Sequence, residues 1–167
     1  MKLSAANYSR LDSYTVASET PLPAAQDNSC ALVVGEHAGM RRLLKLILGA
    51  LTLDVDEVSS NHQLLDTFGK LPRVVIVDVD PSYEQGMVVW HLLRRNPYTA
   101  NIPSVFLVEA GNEFIRHLAT MAGATICLDK PFRPRHLRTI VEDLLSLMPG
   151  PDGADAHRAD VRRPAAL

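Results

Sequence analysis

The apolar residues of this chain fall into short continuous runs that alternate with segments of helical spacing. The most apolar run, residues 74–77, reads VVIV and leads directly into Asp78 and Asp80, with Pro81 and Gly86 following. A continuous apolar run bounded by turn residues is typical of a strand buried on both faces of a parallel sheet. Because moving a carboxylate towards a core costs free energy, two acids at the tip of such a strand require an explanation.

The same pattern predicts four further strands and five helices. The strands are expected at residues 31–34, 54–58, 102–108 and 125–128, and the alternating segment 54–58 favours a position near a sheet edge. The helices are expected at about residues 40–51, 61–69, 85–95, 112–123 and 134–147. Strands that alternate with helices predict an α/β fold, in which a five-stranded parallel sheet carries helices on both faces. We expect one domain at residues 30–148, between flexible tails at 1–29 and 149–167.

Composition restricts the function to a few classes. The chain has 167 residues, of which 47% are hydrophobic and 22% charged, as in ordinary globular proteins. A formal net charge of −2 gives no electrostatic reason to expect nucleic acid or an anionic membrane as a partner. Two cysteines make neither a disulfide framework nor a zinc site. No signal peptide or bilayer-spanning run is present in the sequence, so we expect a cytoplasmic protein.

The candidate chemistry lies at the predicted strand ends. Glu36 follows the first strand, Asp78 and Asp80 the central one, Glu109 the fourth, and Lys130 the fifth. The carboxyl ends of parallel strands meet at one edge, where open α/β sheets bind ligands. Carboxylates suit Mg²⁺, and a lysine supplies a point charge for a phosphoryl group. Together these residues predict acyl-phosphate chemistry on an aspartate.

Residues 30–148 resemble the receiver domain of two-component response regulators, which has a CheY-like, flavodoxin-like fold. The resemblance rests on VVGEHAGMRRLL after the first strand, VVIVDVD with a glycine eight residues after Asp78, IPSVFLV, and MAGATICLDKPF before the last helix. It implies that Asp78 is the phospho-acceptor and that Lys130 contacts the phosphoryl group. It also implies a cis peptide bond before Pro131 and a Mg²⁺ ion held by Glu36, Asp78 and the backbone carbonyl of Asp80. No other cofactor is implied.

Three positions depart from the pattern of that family. Receivers usually carry two adjacent acids after the first strand, whereas this chain has Gly35 followed by Glu36. The usual hydroxyl residue of the fourth strand is Val108, and the usual aromatic residue of the fifth strand is Cys127. These departures predict a weakened Mg²⁺ site and degenerate switch positions. The six histidines lack ligand spacing and are assigned to the surface or to helix packing.

The resemblance implies a signalling function rather than an enzyme, with at most self-phosphotransfer and autodephosphorylation at Asp78. A single-domain receiver would take its phosphoryl group from a histidine kinase or a histidine phosphotransfer protein. Its output would be protein–protein binding through the face formed by the fourth helix, the fifth strand and the fifth helix (the α4-β5-α5 face of the family), and a homodimer is left open.

Two alternatives remain. One is a pseudo-receiver, a constitutive binding module that works without phosphorylation. The other is a flavodoxin-like binder of small molecules or nucleotides, which the lack of a glycine-rich phosphate loop disfavours.

Overall fold

Five strands form a single sheet in which every neighbouring pair is parallel. The computed structural model describes residues 30–60, 63, 71–80 and 84–147. The strands are β1 (Cys30–Val34), β2 (Asp54–Val58), β3 (Val74–Asp78), β4 (Ser104–Glu109) and β5 (Ile126–Lys130). Their order across the sheet is β2-β1-β3-β4-β5. The predicted parallel sheet is therefore confirmed, with β3 at its centre and β2 at one edge.

Four described helices cover the sheet on both faces. They are α1 (Ala38–Gly49), α2 (Glu84–Arg95), α3 (Glu113–Met121) and α4 (Pro134–Leu147). Buried side chains of α1 and α4 pack in one apolar cluster, and those of α2 and α3 pack in another. The helix predicted at residues 61–69 lies outside the described residues except for Gln63, which is helical, and both predicted tails lie outside them too. None of the described helices is long and apolar enough to cross a membrane.

The central strand β3 contributes side chains to both apolar clusters, because successive side chains of a strand point to opposite faces of the sheet. Val75 and Val77 pack with α2 and α3, whereas Val74 and Ile76 pack with α1 and α4. All four are at most 1% exposed, so the prediction of a fully buried strand is confirmed. Asp78 follows them, and its backbone is held in the same ladder, with β4 as its neighbour.

A tryptophan connects α2 to the turn after α3. The Trp90 ring, which is fully buried, meets Phe106 edge to face with 5.3 Å between ring centroids. Its indole Nε1 donates a hydrogen bond of 2.8 Å to the Ala122 carbonyl. The Arg94 guanidinium lies 5.0 Å from the centroid of the same ring and donates to the carbonyls of Ala100 and Gly123. Buried polar groups are thus paired where α2, α3 and β4 meet.

Helix α3 shows what local pattern predicts well and what it does not. The helix begins where residues 112–123 predicted one, and the Asn112 side chain caps it by accepting a hydrogen bond from the Ile115 amide. Phe114 and Met121 follow the apolar spacing of the helix, but their side chains are 58% and 74% exposed. The buried stripe of this nine-residue helix contains Ile115 and Ala119, one turn apart.

Candidate functional site

Asp78 lies at the carboxyl end of the central strand, between the ends of β1 and β4. Its side chain is only 2% exposed. Gly35, the residue after β1, approaches it so closely that a Cβ atom at position 35 would lie 2.8 Å from Asp78 Cβ. The sequence places this acid at the end of β3, and the strand order places that end between the neighbouring strands β1 and β4. A carboxylate buried this deeply requires a cation as partner.

Lys130 is that cation. It is the last residue of β5, and its side chain is 10% exposed. Its Nζ donates to Asp78 Oδ1 at 3.0 Å and to the Val79 carbonyl at 3.2 Å, and it lies 3.3 Å from Glu109 Oε1. The Lys130–Pro131 peptide bond is cis, as the resemblance implied. The acid and the lysine predicted at two strand ends are therefore in direct contact.

Burial shifts the pKa of both Asp78 and Lys130, but in opposite directions. Burial raises the pKa of Asp78, and it outweighs the opposing hydrogen bond and charge of Lys130. For Lys130 burial lowers the pKa, but the hydrogen bonds and charges of Asp78 and Glu109 outweigh it, so its pKa is raised. Lys130 faces two carboxylates, whereas Asp78 faces one ammonium group and the neighbouring acid Asp80. The lysine is therefore held protonated at neutral pH.

His37 joins the site, although the spacing of the histidines in the sequence favoured surface or helix-packing roles. Its side chain is 69% exposed, yet Nδ1 lies 2.9 Å from Asp80 Oδ2. That hydrogen bond and the charge of Asp80 raise the pKa of His37. One ligand atom from each of His37, Asp78 and Asp80 lies within 4.8 Å of the others. The only sequence signal was the position of His37 directly after Glu36 at a functional strand end.

Arg41 fixes the loop that carries these residues. Its Nη1 donates to the carbonyls of Gly35 and Glu36, each at 2.8 Å. Its Nε lies 3.4 Å from Glu57 Oε2, so the guanidinium also reaches the edge strand β2. The Glu36 side chain is exposed and is not part of the His37–Asp78–Asp80 group. Glu36 and the Asp80 carbonyl as metal ligands therefore stay predictions.

The two positions at which receivers usually carry a hydroxyl and an aromatic side chain, 108 and 127, hold Val108 and Cys127 here. Val108 is fully buried on β4 and has no hydrogen-bonding atom in its side chain. Cys127 is half-buried on β5, and burial raises the pKa of its thiol. A thiol with a raised pKa is a weak nucleophile, which favours a packing role for it. The degeneracy of both positions stays a prediction.

The donor atoms at the site fit a small divalent cation. Two carboxylates converge with an imidazole, and the Glu36 carboxylate is on the same loop. Hard cations take oxygen ligands and keep waters, so one or two carboxylates suffice to hold them. A phosphoryl group could then lie between such a cation and Lys130.

Comparison with known proteins supports this interpretation. The family described as the response regulator receiver domain matches residues 31–142. Aerobic respiration control protein ArcA of Escherichia coli K12 is 31% identical over 118 residues, which are 69% of this chain and 48% of that protein. The chain thus spans about half the length of the curated relatives it matches.

Two solved structures share the fold. Chemotaxis protein CheY4 of Vibrio cholerae has a TM-score of 0.61 at 20% identity, over 69% of this chain and 97% of that one. The receiver domain of a sensor histidine kinase from Pseudomonas aeruginosa PAO1, described with a magnesium ion coordinated in its active-site cleft, has a TM-score of 0.62 at 17% identity. That similarity covers 72% of this chain and 99% of the other. From the match over residues 31–142, this chain belongs to the response regulator receiver domain family.

Proposed function

We propose that this receiver accepts a phosphoryl group on Asp78 and signals through protein–protein interaction. The observation that carries the proposal is the Asp78 carboxylate, whose side chain is 2% exposed and whose Oδ1 is held by Lys130 Nζ at 3.0 Å. Receiver domains are signalling modules that work with histidine kinases, so the donor proposed here is a histidine kinase or a histidine phosphotransfer protein.

The proposed chemistry is one displacement at phosphorus. A carboxylate oxygen of Asp78 attacks the phosphorus of a phosphohistidine, the P–N bond breaks, and the histidine leaves with the bonding electron pair. Lys130 contacts a phosphoryl oxygen and offsets its charge. A bound Mg²⁺ ion would neutralise further phosphoryl charge, held by Glu36, Asp78 and the Asp80 carbonyl. Attack of water on the same phosphorus would return the free carboxylate, which is autodephosphorylation.

The proposed output surface is the face formed by α3, β5 and α4. Arg116 of α3 pairs with Asp129 of β5 on this face. In this chain the link from the acceptor to that face cannot use a hydroxyl at position 108 or an aromatic ring at position 127. Lys130, which belongs to β5 and contacts Asp78, offers the direct connection instead. We propose that a downstream protein binds this face and that phosphorylation changes its affinity.

Intact-mass spectrometry tests the proposal. The protein is incubated with Mg²⁺ and a small acyl-phosphate donor, and separately with a phosphorylated histidine phosphotransfer protein. We expect the gain of one phosphoryl group in the wild type and none in Asp78→Asn. No gain from either donor would favour the pseudo-receiver, a binding module that works without phosphorylation. In that case Asp78→Asn would also leave partner binding unchanged.

A further inference from the structure

We propose that the cation pocket beside Asp78 is a mixed nitrogen–oxygen site, in which His37 joins Asp78 and Asp80 and confers a preference for first-row transition-metal ions over Mg²⁺. The inference deepens the proposed function and rests on it for its biological role, because the ion would lie beside the carboxylate that takes the phosphoryl group. Its test in the unphosphorylated protein is independent of that role.

The three side chains already lie close to a ligating arrangement. Their ligand atoms are within 4.8 Å of one another, and His37 Nδ1 is 2.9 Å from Asp80 Oδ2. Ligand atoms at about 2.0–2.1 Å from one ion are separated by roughly 3–4 Å, so closure requires the atoms that are farthest apart to approach by up to about 1–2 Å. The His37 ring is 69% exposed at the start of α1 and is free to make that movement.

Asp78 has one oxygen that an ion can reach. Its side chain is 2% exposed, and Lys130 is bonded to Oδ1. The other oxygen, Oδ2, lies towards Gly35, 3.4 Å from where a Cβ would be. Among the described residues no buried side-chain oxygen lacks a hydrogen-bond partner, so Oδ2, which Lys130 does not bind, keeps some contact with solvent and can accept a ligand ion.

The types of donor atom decide which ion is preferred. Mg²⁺ demands an octahedral set of hard oxygen ligands and keeps several waters. Imidazole nitrogen suits zinc, copper, iron and nickel, and affinities of nitrogen–oxygen sites rise along the first transition row. At position 35 this chain has no acid, and a side chain there would collide with Asp78. The pocket has therefore lost one oxygen ligand and gained a nitrogen ligand one residue beyond Glu36.

Metal titration of the untagged protein tests this inference, with Co²⁺ and Mg²⁺ added separately as chloride salts. Calorimetry gives the affinity for both ions, and the visible absorption of Co²⁺ reports nitrogen ligation. We expect Co²⁺ to bind the wild type at least about 100-fold more tightly than Mg²⁺. His37→Gln should weaken Co²⁺ binding at least about tenfold, should shift the Co²⁺ spectrum and should leave Mg²⁺ affinity within about twofold.

His117→Gln is the matched control, because His117 is an exposed histidine on α3, outside the site. His117→Gln should change neither the Co²⁺ affinity nor the Mg²⁺ affinity. If His37→Gln binds Co²⁺ as the wild type does, or weakens Mg²⁺ and Co²⁺ equally, the mixed site is wrong and His37 only pairs with Asp80. Circular dichroism of both variants verifies that they are folded.

The same protein preparations separate this inference from the proposed function. A protein that binds Co²⁺ through His37 but gains no phosphoryl group from any donor would overturn the proposed function and leave the metal site standing. A protein that is phosphorylated on Asp78, with Co²⁺ binding unaffected by His37→Gln, would overturn the metal site alone.

Discussion

Gly35 and Asp78 are packed so closely that a Cβ atom on residue 35 would lie 2.8 Å from the Cβ of Asp78. Separations under 3 Å between such atoms are essentially not seen in proteins, so any side chain at position 35 must move one of the two strand ends. The absence of an acid at position 35 is thus linked to the position of Asp78. The end of β1 lies directly against the end of β3.

Replacing Gly35 by alanine tests this contact. We expect Gly35→Ala to lower the free energy of unfolding by about 1–3 kcal/mol, because the extra methyl group overpacks the site. Gly39→Ala is the control, since a Cβ there meets nothing within 4 Å and the residue is helical. That change should stabilise the protein by up to about 1 kcal/mol. Urea denaturation measures both, and equal effects would contradict the close packing.

Lys130 should be more important for stability than Glu109, although both belong to one ionic group. Lys130→Met leaves Asp78 buried without its cation and should cost about 3–5 kcal/mol of unfolding free energy. Glu109→Gln removes a carboxylate whose side chain is 54% exposed and should cost less than about 1 kcal/mol.

A double-mutant cycle checks the origin of that difference. If the cost of Lys130→Met comes from the orphaned charge of Asp78, the double variant Asp78→Asn/Lys130→Met should recover much of the lost stability. Additive losses in urea denaturation would show instead that Lys130 stabilises the fold by packing alone.

A hydroxyl at position 108 should strengthen the coupling between acceptor and output face. Val108 is fully buried, so Val108→Thr should cost about 1–3 kcal/mol where its hydroxyl has no partner. A phosphoryl oxygen on Asp78 would supply that partner, and phosphate-dependent partner binding should increase. Pull-down with and without the acyl-phosphate donor measures the ratio, with Val105→Thr on the same strand as control. An unchanged ratio for Val108→Thr would count against this route.

His91 should make stability depend on pH. Burial lowers its pKa from the ordinary value of 6.5. Above about pH 6.5 the ring is neutral in both the folded and the unfolded state, so it adds no pH dependence. As the pH falls below that value, the unfolded state takes up a proton that the folded state resists, and the free energy of unfolding decreases.

The measurement is denaturation of the wild type and of His91→Gln from pH 8 to pH 5. The variant should lose less stability than the wild type between pH 6.5 and pH 5. Other titrating groups, including Asp78, are shared by both proteins and cancel in the difference. A steeper loss in the variant would show that the His91 ring is charged in the folded state.

Local pattern was sufficient to predict the strands and helices that the structure describes. The apolar run 74–77 forms the predicted buried strand, Asn112 caps α3, and α4 has the predicted bounds 134–147. Family motifs then placed Asp78 and Lys130 together. These features depend on spacing within a few residues or on a known topology.

Contacts between distant residues were not predictable in this way. His37 and Asp80 are 43 residues apart, and nothing in the loop around either one indicates the other. Arg41 lies in the predicted helix 40–51, and nothing in the helical pattern indicates that its guanidinium is half-buried and bonded to the loop carbonyls. Phe114 and Met121 fit a helical period, which does not determine which stripe of a short helix faces the sheet.

The ion pair of Asp78 with Lys130 also has a consequence for the order of folding. Asp78 is synthesised 52 residues before its partner, and the strand that carries that partner is the last one in the sheet. A ribosome-bound chain that ends before β5 would contain Asp78 without Lys130. Burying the unpaired carboxylate would then raise the free energy of a closed core around β3. Completion of the site therefore coincides with completion of the sheet, and a chain that lacks β5 has no assembled Asp78–Lys130 pair.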